Sequence, residues 1–166
     1  MIIRKLDIQD LEVRVEWMNH PKVYSSMHYE IPVTLENTKK WFEKNMSNKN
    51  RVDFSFEVDG VLVAMGGLTG IDFNLNKAEL YIFVNPNEQK TGLGTQAVRL
   101  LCQYGFEQLN LNKIFLLTNE DNYAARKVYE KCGFKLEGIL RQEYKTSDNF
   151  FGDRYYFGLL KSDCDE

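Results

Sequence analysis

The sequence predicts a mixed α/β fold in which helices cover both faces of one sheet. The first observation behind this prediction is that strand-like and helix-like patterns alternate along the 166 residues. The second is a pair of hairpin-like regions, one before the middle of the chain and one at its end. The third is a strand, helix, strand succession between them, which requires two parallel strands. The sheet is therefore expected to be mostly antiparallel, with one parallel pair.

The chain is expected to begin with a strand and a helix. Residues 2–6 are strand-like, and residues 7–19 begin with an acidic residue that is typical of a helix start. Three residues have the spacing of a buried helical face, namely Leu11, Val15 and Met18. Pro21 is expected to end this helix, because proline cannot continue the backbone hydrogen bonds.

A second helix and a β-hairpin follow. Residues 34–46 have the pattern of a helix that begins with a threonine cap. Residues 54–58 alternate in the manner of a half-buried strand, and residues 61–68 are again strand-like. The Asp59-Gly60 pair between them favours a tight turn, so the two segments are expected to pair antiparallel.

The second half of the chain supplies the parallel crossover and a final hairpin. The predicted elements are a strand at 77–84, a helix ending at Gln108, a strand at 113–118, a helix at 124–131, and a hairpin of 136–145 with 151–160. The two strands on either side of the first of these helices must be parallel.

The size and charge of the chain predict a single domain at residues 1–166. Hydrophobic residues make up 43% of the sequence, which suits one well-packed core in a chain of this length. The net charge is −3, and basic residues do not cluster on one predicted face. A nucleic-acid partner is therefore not expected, since such a partner requires a basic surface.

The sequence also predicts the compartment and the absence of a metal. No run approaches the roughly 18 apolar residues of a membrane span, and the amino terminus lacks an apolar signal core. A cytoplasmic protein without membrane contact is expected. The chain has 3 cysteines, which are widely spaced and have no histidine nearby. Neither a disulfide framework nor a metal site is expected from this pattern.

A glycine loop at residues 89–94 joins the strand at 77–84 to the following helix. Gly92 and Gly94 allow a phosphate to approach the backbone, and the first amides of a helix have no acceptor within that helix. A phosphorylated cofactor is therefore expected here. The loop lacks the Gly-Lys-Ser/Thr of a P-loop, and Ala97 stands where a dinucleotide fingerprint needs a third glycine.

A second motif carries more specific information. Asn122, Ala125, Tyr129 and the pair Gly133-Phe134 have the spacing Asn-x-x-Ala-x-x-x-Tyr-x-x-x-Gly-Phe. Together with the Gln-x-x-Gly-x-Gly pattern of the glycine loop, this motif resembles the GNAT superfamily of acetyl-CoA-dependent N-acetyltransferases. The resemblance covers most of the chain and is strongest to the branch of ribosomal-protein, spermidine and nucleotide-amino-sugar N-acetyltransferases. It implies an acyltransferase that moves an acetyl group from acetyl-CoA to a primary amine.

The resemblance also implies where acetyl-CoA binds. In GNAT proteins two adjacent parallel strands splay apart, and the pantetheine arm lies between them. Here these are the strands that end near Val84 and Thr118. The implied contacts are the main chain of Ile82, Phe83 and Val84 for the pantetheine amides, the loop residues Gln89, Lys90, Thr91, Gly92, Leu93, Gly94 and Thr95 for the diphosphate, and also Asn119 and Asn122. No metal is implied.

Tyr129 has two interpretations. Its position on an amphipathic helix favours a core aromatic residue. The resemblance implies instead that its hydroxyl faces the cofactor sulfur and acts as the general acid for the departing thiolate. Asn122, at the start of the same helix, is a candidate for the helix cap as well as for a cofactor contact.

Glu79 is the implied general base, because related enzymes carry a glutamate near the substrate amine in the corresponding strand. A carboxylate at a partly buried strand position has a pKa raised toward the working range. The alternative is a solvated residue on the same strand face as Tyr81 and Phe83. Since no cysteine is placed as a nucleophile, direct transfer in a ternary complex is expected.

The acceptor is left open by the sequence. His28 lies with Tyr24 and Glu30 in the loop that lines the acceptor pocket in relatives, and Tyr144 is a further candidate for substrate binding. An acidic loop with Glu30 and Glu36 would suit a polyamine. A nucleotide-linked amino sugar would instead need a basic or aromatic clamp, and a protein N-terminus is the third possibility.

Two other classes of function also remain open. A non-catalytic acyl-CoA-binding regulatory module would keep the glycine loop without needing Glu79 and Tyr129. A protein-interaction domain without a cofactor would have no affinity for coenzyme A. The aromatic residues at 150–151 and 155–157 of the last hairpin either pair subunits in a homodimer or pack into the core.

Overall fold

The computed structural model describes residues 1–88 and 91–164 of the chain. In this part, seven strands form one sheet in the order β1-β2-β3-β4-β5-β7-β6. The strands are β1 (Ile2–Lys5), β2 (Val52–Val58), β3 (Val61–Asp72), β4 (Lys77–Val84), β5 (Lys113–Asn119), β6 (Lys135–Lys145) and β7 (Phe151–Leu160). The α-helices are α1 (Leu11–Met18), α2 (Pro21–Tyr24), α3 (Leu35–Asn45), α4 (Leu93–Glu107) and α5 (Tyr123–Lys131).

The sheet confirms the predicted mixed topology. β4 and β5 pair in parallel, joined by the crossover helix α4. The other neighbouring strands pair antiparallel, including the hairpin of β2 and β3 and the final hairpin of β6 and β7. Asp59 and Gly60 both have positive φ, at 52° and 78°, which is the geometry of the tight turn that the sequence predicts.

Helices cover both faces of the sheet, as predicted. On one face, α4 and α5 pack through residues such as Val98, Leu101 and Tyr129 against the central strands. On the other face, α1 and α3 cover a smaller apolar cluster that includes Leu11 and Trp17. Each face buries its own set of side chains because successive strand residues point to opposite sides.

The first helical segment differs from the prediction. Asp7 caps a short 3₁₀ turn, Ile8–Asp10, and α1 then ends at Met18 rather than continuing to Asn19. Pro21 does not end a helix but begins α2, where a missing amide proton costs nothing. The buried residues of α1 are Leu11, Arg14 and Trp17, whereas the predicted Val15 and Met18 are only half-buried.

The contact between β3 and β4 depends on a glycine. A Cβ atom at Gly66 would lie 2.6 Å from the Tyr81 carbonyl oxygen and 2.8 Å from the Ile82 side chain. Both distances are too short for any larger residue without movement of β4. Gly66 therefore sets how closely β4 approaches β3.

The last hairpin uses its aromatic residues in two ways. Phe157 is buried in the core beneath α5, and Tyr156 stacks on Phe115 with ring centroids 5.1 Å apart. Phe150 and Phe151 are exposed at the turn. The core interpretation therefore applies fully to Phe157, whereas Tyr155 and Tyr156 are half-buried and Phe151 is exposed.

Candidate active site

The parallel strands β4 and β5 separate after a short paired stretch. Their pairing runs from Lys77 opposite Lys113 to Glu79 opposite Phe115, and no further pair joins them in the described chain. Beyond this point β4 remains on β3, and β5 remains on β7 as far as Asn119. The gap between residues 80–84 and 116–119, here called the seam, presents backbone amides and carbonyls without a strand partner. An extended amide-containing chain can pair with them.

The start of α4 lies at the open end of β4. Gly92 is the N-cap residue in a left-handed conformation, with φ 81°, and has no side chain to occupy the first amides. A Cβ atom there would meet nothing within 4 Å in the described residues. Thr91 is held by a hydrogen bond from its Oγ1 to the Glu88 carbonyl oxygen, at 2.8 Å. This arrangement fits a diphosphate at a helix N-terminus.

Most of the implied cofactor residues lie along the seam or at the start of α4. Ile82, Phe83 and Val84 lie along the seam on β4. Thr91 and Gly92 precede α4, and its first turn contains Leu93, Gly94 and Thr95. Gln89 and Lys90 lie outside the described residues.

Asn122 and Asn119 have different environments. The Asn122 side chain caps α5 by accepting a hydrogen bond from the Ala125 amide at 3.2 Å, as the sequence predicts. Asn119 is buried at the end of β5, and its Oδ1 lies 2.8 Å from His28 Nε2. Its side chain therefore meets the loop before α3.

Tyr129 lies on α5 and belongs to the larger core cluster, on the α4 side of the sheet. It is 8% exposed and packs against Phe134 and Phe157, with ring centroids 5.9 Å and 6.3 Å away. Burial raises the pKa of its phenol to about 12. The hydroxyl therefore carries its proton throughout the neutral range, as a general acid requires. Both interpretations of Tyr129 are compatible with this position, because the ring is in the core and the hydroxyl is protonated.

Glu79 lies on the opposite face of the sheet from Tyr129. It is the last β4 residue that pairs with β5, and it is half-buried rather than fully solvated. Burial raises the pKa of its carboxyl above the ordinary value of 4.5, and the nearby positive charge of Arg154 opposes this effect. Such a carboxyl can accept a proton closer to neutral pH than an exposed one can.

The predicted acceptor residues are brought together only in part. His28 and Tyr144 are neighbours, with ring centroids 5.3 Å apart, above the β5 end of the seam. Because the Asn119 Oδ1 can only accept a hydrogen bond, the Nε2 of His28 is the donor. Tyr24 lies on α2, and Glu30 is exposed.

A cavity of about 320 Å³ lies beside the seam, under α1 and α3. It is here called the arginine cavity, and its main lining residues are Arg14, Met18, Trp41, Arg51, Tyr81 and Phe83. Sequence reasoning missed Arg14 and Arg51 as candidate functional residues. The available signal was Arg14 itself, a charged residue three positions from both Leu11 and Trp17 on the apolar stripe of a helix.

The described residues contain neither a candidate metal site nor a candidate membrane-spanning helix. Within residues 1–88 and 91–164, histidine, cysteine and carboxylate side chains form no group of three that could hold a metal ion. No helix in that part of the chain is long and apolar enough to span a membrane.

The family of the protein follows from comparison with known proteins. The family described as "Acetyltransferase (GNAT) domain" matches residues 1–135. The chain therefore belongs to the GNAT acetyltransferase family, as its two motifs predicted. It is an N-acetyltransferase that uses acetyl-CoA as the acetyl donor and an amine as the acceptor.

Individual relatives agree with this assignment. The spermidine N(1)-acetyltransferase of Escherichia coli strain K12 is 30% identical over 142 residues, which cover 86% of this chain and 76% of that protein. The acetyltransferase PseH of Campylobacter jejuni is 22% identical over 160 residues, or 96% of this chain and 92% of that protein. The spermidine N-acetyltransferase of Vibrio cholerae, solved in complex with CoA and spermine, has the same fold, with a TM-score of 0.94, 24% identity, and coverage of 99% and 98% of the two chains.

Proposed function

We propose that this protein acetylates a primary amine by direct transfer from acetyl-CoA, with Tyr129 as general acid and Glu79 as general base. The observation that carries the proposal is that these two groups lie on opposite faces of the sheet that contains the seam. The seam suits the pantetheine arm, and the free amides at the start of α4 suit the diphosphate. The whole chain, residues 1–166, is proposed to act as one catalytic domain in the cytoplasm.

The proposed roles account for each proton. Glu79, directly or through water, takes the proton from the acceptor ammonium, so that the neutral nitrogen can attack the thioester carbonyl carbon. The carbon–nitrogen bond forms and the carbon–sulfur bond breaks. Tyr129 gives its proton to the departing thiolate. Backbone amides of the seam are the candidate donors to the oxyanion that develops at the carbonyl.

The acceptor amine is proposed to enter from the face that carries α1, α3 and the loop with His28. Glu79 is on this face, whereas Tyr129 is on the other, so acceptor and acid approach the thioester from opposite sides. His28 and Tyr144 stand at this entrance, and neither Tyr24 nor Glu30 lines the arginine cavity. The candidate acceptors are a polyamine, which the E. coli relative's name gives as its substrate, a nucleotide-linked amino sugar, and a protein N-terminus.

A thiol-release assay with acetyl-CoA and a panel of amines tests the proposal. We expect at least one amine to raise turnover well above the slow hydrolysis of the thioester. Initial rates measured against both substrates should give intersecting lines, which indicate a ternary complex, and parallel lines would contradict direct transfer. Absence of turnover with every amine class would contradict the proposed catalytic roles.

A further inference from the structure

We propose that the arginine cavity binds an anionic group of the acceptor, a phosphate or a carboxylate, with Arg14 as its ligand. The inference rests on the proposed function, because it concerns the far end of the molecule whose amine reaches Glu79. It predicts that the acceptor carries a negative charge. It also gives Arg14 a role in acceptor binding, although Arg14 is not one of the reacting groups.

The state of Arg14 is the main support. Its side chain belongs to a residue that is 5% exposed, and its Nη1 has no hydrogen-bond partner within residues 1–88 and 91–164. Its Nη2 donates a long hydrogen bond of 3.4 Å to the Tyr81 hydroxyl. In the described chain no carboxylate forms a salt bridge with it. A buried, unpaired charge is costly, so its retention beside a cavity points to a ligand.

The nearby carboxylate does not neutralise Arg14. Asp53 accepts two hydrogen bonds of 2.8 Å from Arg51, which form a bidentate pair. The same carboxylate accepts a hydrogen bond from the Tyr81 hydroxyl, whose pKa is raised to about 12 by burial. Asp53 is therefore already engaged by Arg51 and Tyr81, and the guanidinium of Arg14 remains the uncompensated charge of the arginine cavity.

The aromatic residues of the cavity do not form a site for a cation. The Arg14 guanidinium lies 4.7 Å from the Trp41 ring centroid and 5.3 Å from that of Phe83. The Arg51 guanidinium lies 4.9 Å from Trp41 as well. The ring faces that could attract an ammonium group are thus occupied by the protein's own cations. A polyamine placed here would meet like charge.

The acidic side chains that the sequence suggested for a polyamine lie elsewhere. Glu36 is on the exposed surface of α3 and pairs with Lys40 at 2.8 Å. Glu30 is exposed and does not line the arginine cavity. The cavity is otherwise apolar around Met18, Met27 and Phe83, which suits the ring or carbon skeleton of an acceptor that ends in an anion.

The cavity and the reaction centre are close enough for one acceptor. Tyr81 lines the cavity and follows Glu79 by two residues on the same strand face. Two residues of a β-strand span about 7 Å. A small acceptor can therefore place its amine at Glu79 while its anionic group contacts Arg14.

The first experiment compares acceptors with and without an anion in the wild type and in Arg14→Gln. The panel contains a nucleotide-linked amino sugar, an amino sugar phosphate, the same amino sugar without phosphate, an amino acid, and spermidine. We expect kcat/KM to be highest for an anionic acceptor and to fall about tenfold or more in Arg14→Gln, as for loss of a charge-assisted hydrogen bond. Comparison of the phosphate and carboxylate arms identifies the anion.

Two further variants serve as controls for Arg14→Gln, and the uncharged amino sugar serves as a control acceptor. Lys39→Gln removes one positive charge from the exposed side of α3, outside the cavity, and should leave all the kinetic constants unchanged. Arg14→Lys should recover part of the preference for the anionic acceptor. In Arg14→Gln the KM for acetyl-CoA and the kcat/KM for the uncharged amino sugar should stay within about twofold of wild type.

A binding and a stability measurement do not depend on turnover. Calorimetry with uridine diphosphate, at saturating CoA so that the diphosphate loop is occupied, should show binding to the wild type and none to Arg14→Gln. The thermal unfolding midpoint of Arg14→Gln should stay close to that of the wild type, because removal of a buried unpaired charge offsets the lost contacts with Trp41 and Phe83. A purely structural Arg14 would instead lower the midpoint and leave the preference among acceptors unchanged, which would overturn the proposal.

The outcomes separate this inference from the proposed function. Good turnover with spermidine that Arg14→Gln does not change would overturn the anion site and leave the acetyltransferase mechanism intact. Absence of turnover with every amine, together with Arg14-dependent binding of uridine diphosphate, would reject the mechanism and keep the anion site. Binding of uridine diphosphate that is equal in the wild type and in Arg14→Gln would reject the anion site.

Discussion

The face of the sheet covered by α4 and α5 buries apolar side chains almost throughout, whereas the face covered by α1 and α3 also buries Asp10 and Arg14. The first face holds Tyr129 in a dry environment that keeps its phenol protonated. The second holds one buried charge that is paired and another that is not. The difference suggests that the first face serves chemistry common to any acceptor, and that the second selects the acceptor.

The largest effect is expected from Tyr129→Phe, which tests the chemical role of the first face. If Tyr129 protonates the thiolate, the variant should lower kcat by about a hundredfold, within the usual range for general acid catalysis. Its KM for both substrates should change little. Tyr104→Phe on α4 removes a hydroxyl from a ring that packs on Phe54 and serves as the matched control. Unchanged kcat in Tyr129→Phe would leave only the core interpretation.

Asp10→Asn tests whether the two buried charged residues of the second face contribute differently to stability, since Asp10 is paired and Arg14 is not. Burial acts to raise the pKa of Asp10, but hydrogen bonds from Arg4, the Asp7 amide and Ser55 hold it below 3.8. The variant should lower the free energy of unfolding by about 2 kcal/mol, less than for a fully buried pair because Arg4 is partly exposed. Arg14→Gln should not show this loss, and an equal loss in both variants would remove the contrast.

The same carboxylate predicts how stability depends on pH. Its pKa is lower in the folded than in the unfolded state, so its contribution is fully present above the unfolded value of about 3.9. It is lost as pH falls through the lowered folded pKa. Urea unfolding of the wild type and Asp10→Asn should therefore give stabilities that differ at pH 7 and converge in strong acid.

Glu79→Gln should lower kcat/KM about tenfold near neutral pH, if Glu79 is the base. The base must be deprotonated, so wild-type kcat/KM should rise with pH through a pKa above 4.5. The variant should lose this limb of the profile. Glu36→Gln removes an exposed carboxylate from α3 and should leave the profile unchanged. A wild-type limb that persists in Glu79→Gln would assign it to another group.

The smallest effect is expected from Gly92→Ala, at the N-terminus of α4. This end of the helix is proposed to bind acetyl-CoA, which is the donor for every acceptor. The left-handed φ of 81° makes alanine unfavourable there by about 1 kcal/mol. The KM for acetyl-CoA should rise severalfold, while the preference among acceptors should not change. Gly60→Ala has a similar φ of 78° in the β2–β3 turn and should lose comparable stability without a change in KM. A change in acceptor preference would contradict the division between the two faces.

The sequence predicted the first face better than the second. The strand at 77–84 has the predicted bounds, and the glycine loop leads into α4 as expected, because strand periodicity and helix starts are local properties. The family motifs also lie on this side. Gln89 and Lys90 remain predictions, because they lie outside the described residues.

The second face depends on contacts between distant residues. Hydrophobic periodicity favoured Val15 and Met18 for the buried side of α1, but Arg14 and Trp17 occupy it, since the apolar stem and planar head of an arginine can pack among rings. Arg51 reaches the same cavity from a segment 37 positions later in the sequence. Contact between His28 and Asn119 spans 91 positions. Patterns among neighbouring residues do not predict contacts between such distant positions.

Gly66 has a consequence for protein engineering. A larger side chain there would push β4 away from β3, and the displaced strand would alter the width of the seam that is proposed to receive the pantetheine arm. If the seam receives acetyl-CoA as proposed, Gly66 influences the width of the seam from the opposite edge of β4. Saturation mutagenesis restricted to the substrate-lining positions would overlook it, and transplanting a new acceptor specificity onto this scaffold requires that position to stay glycine.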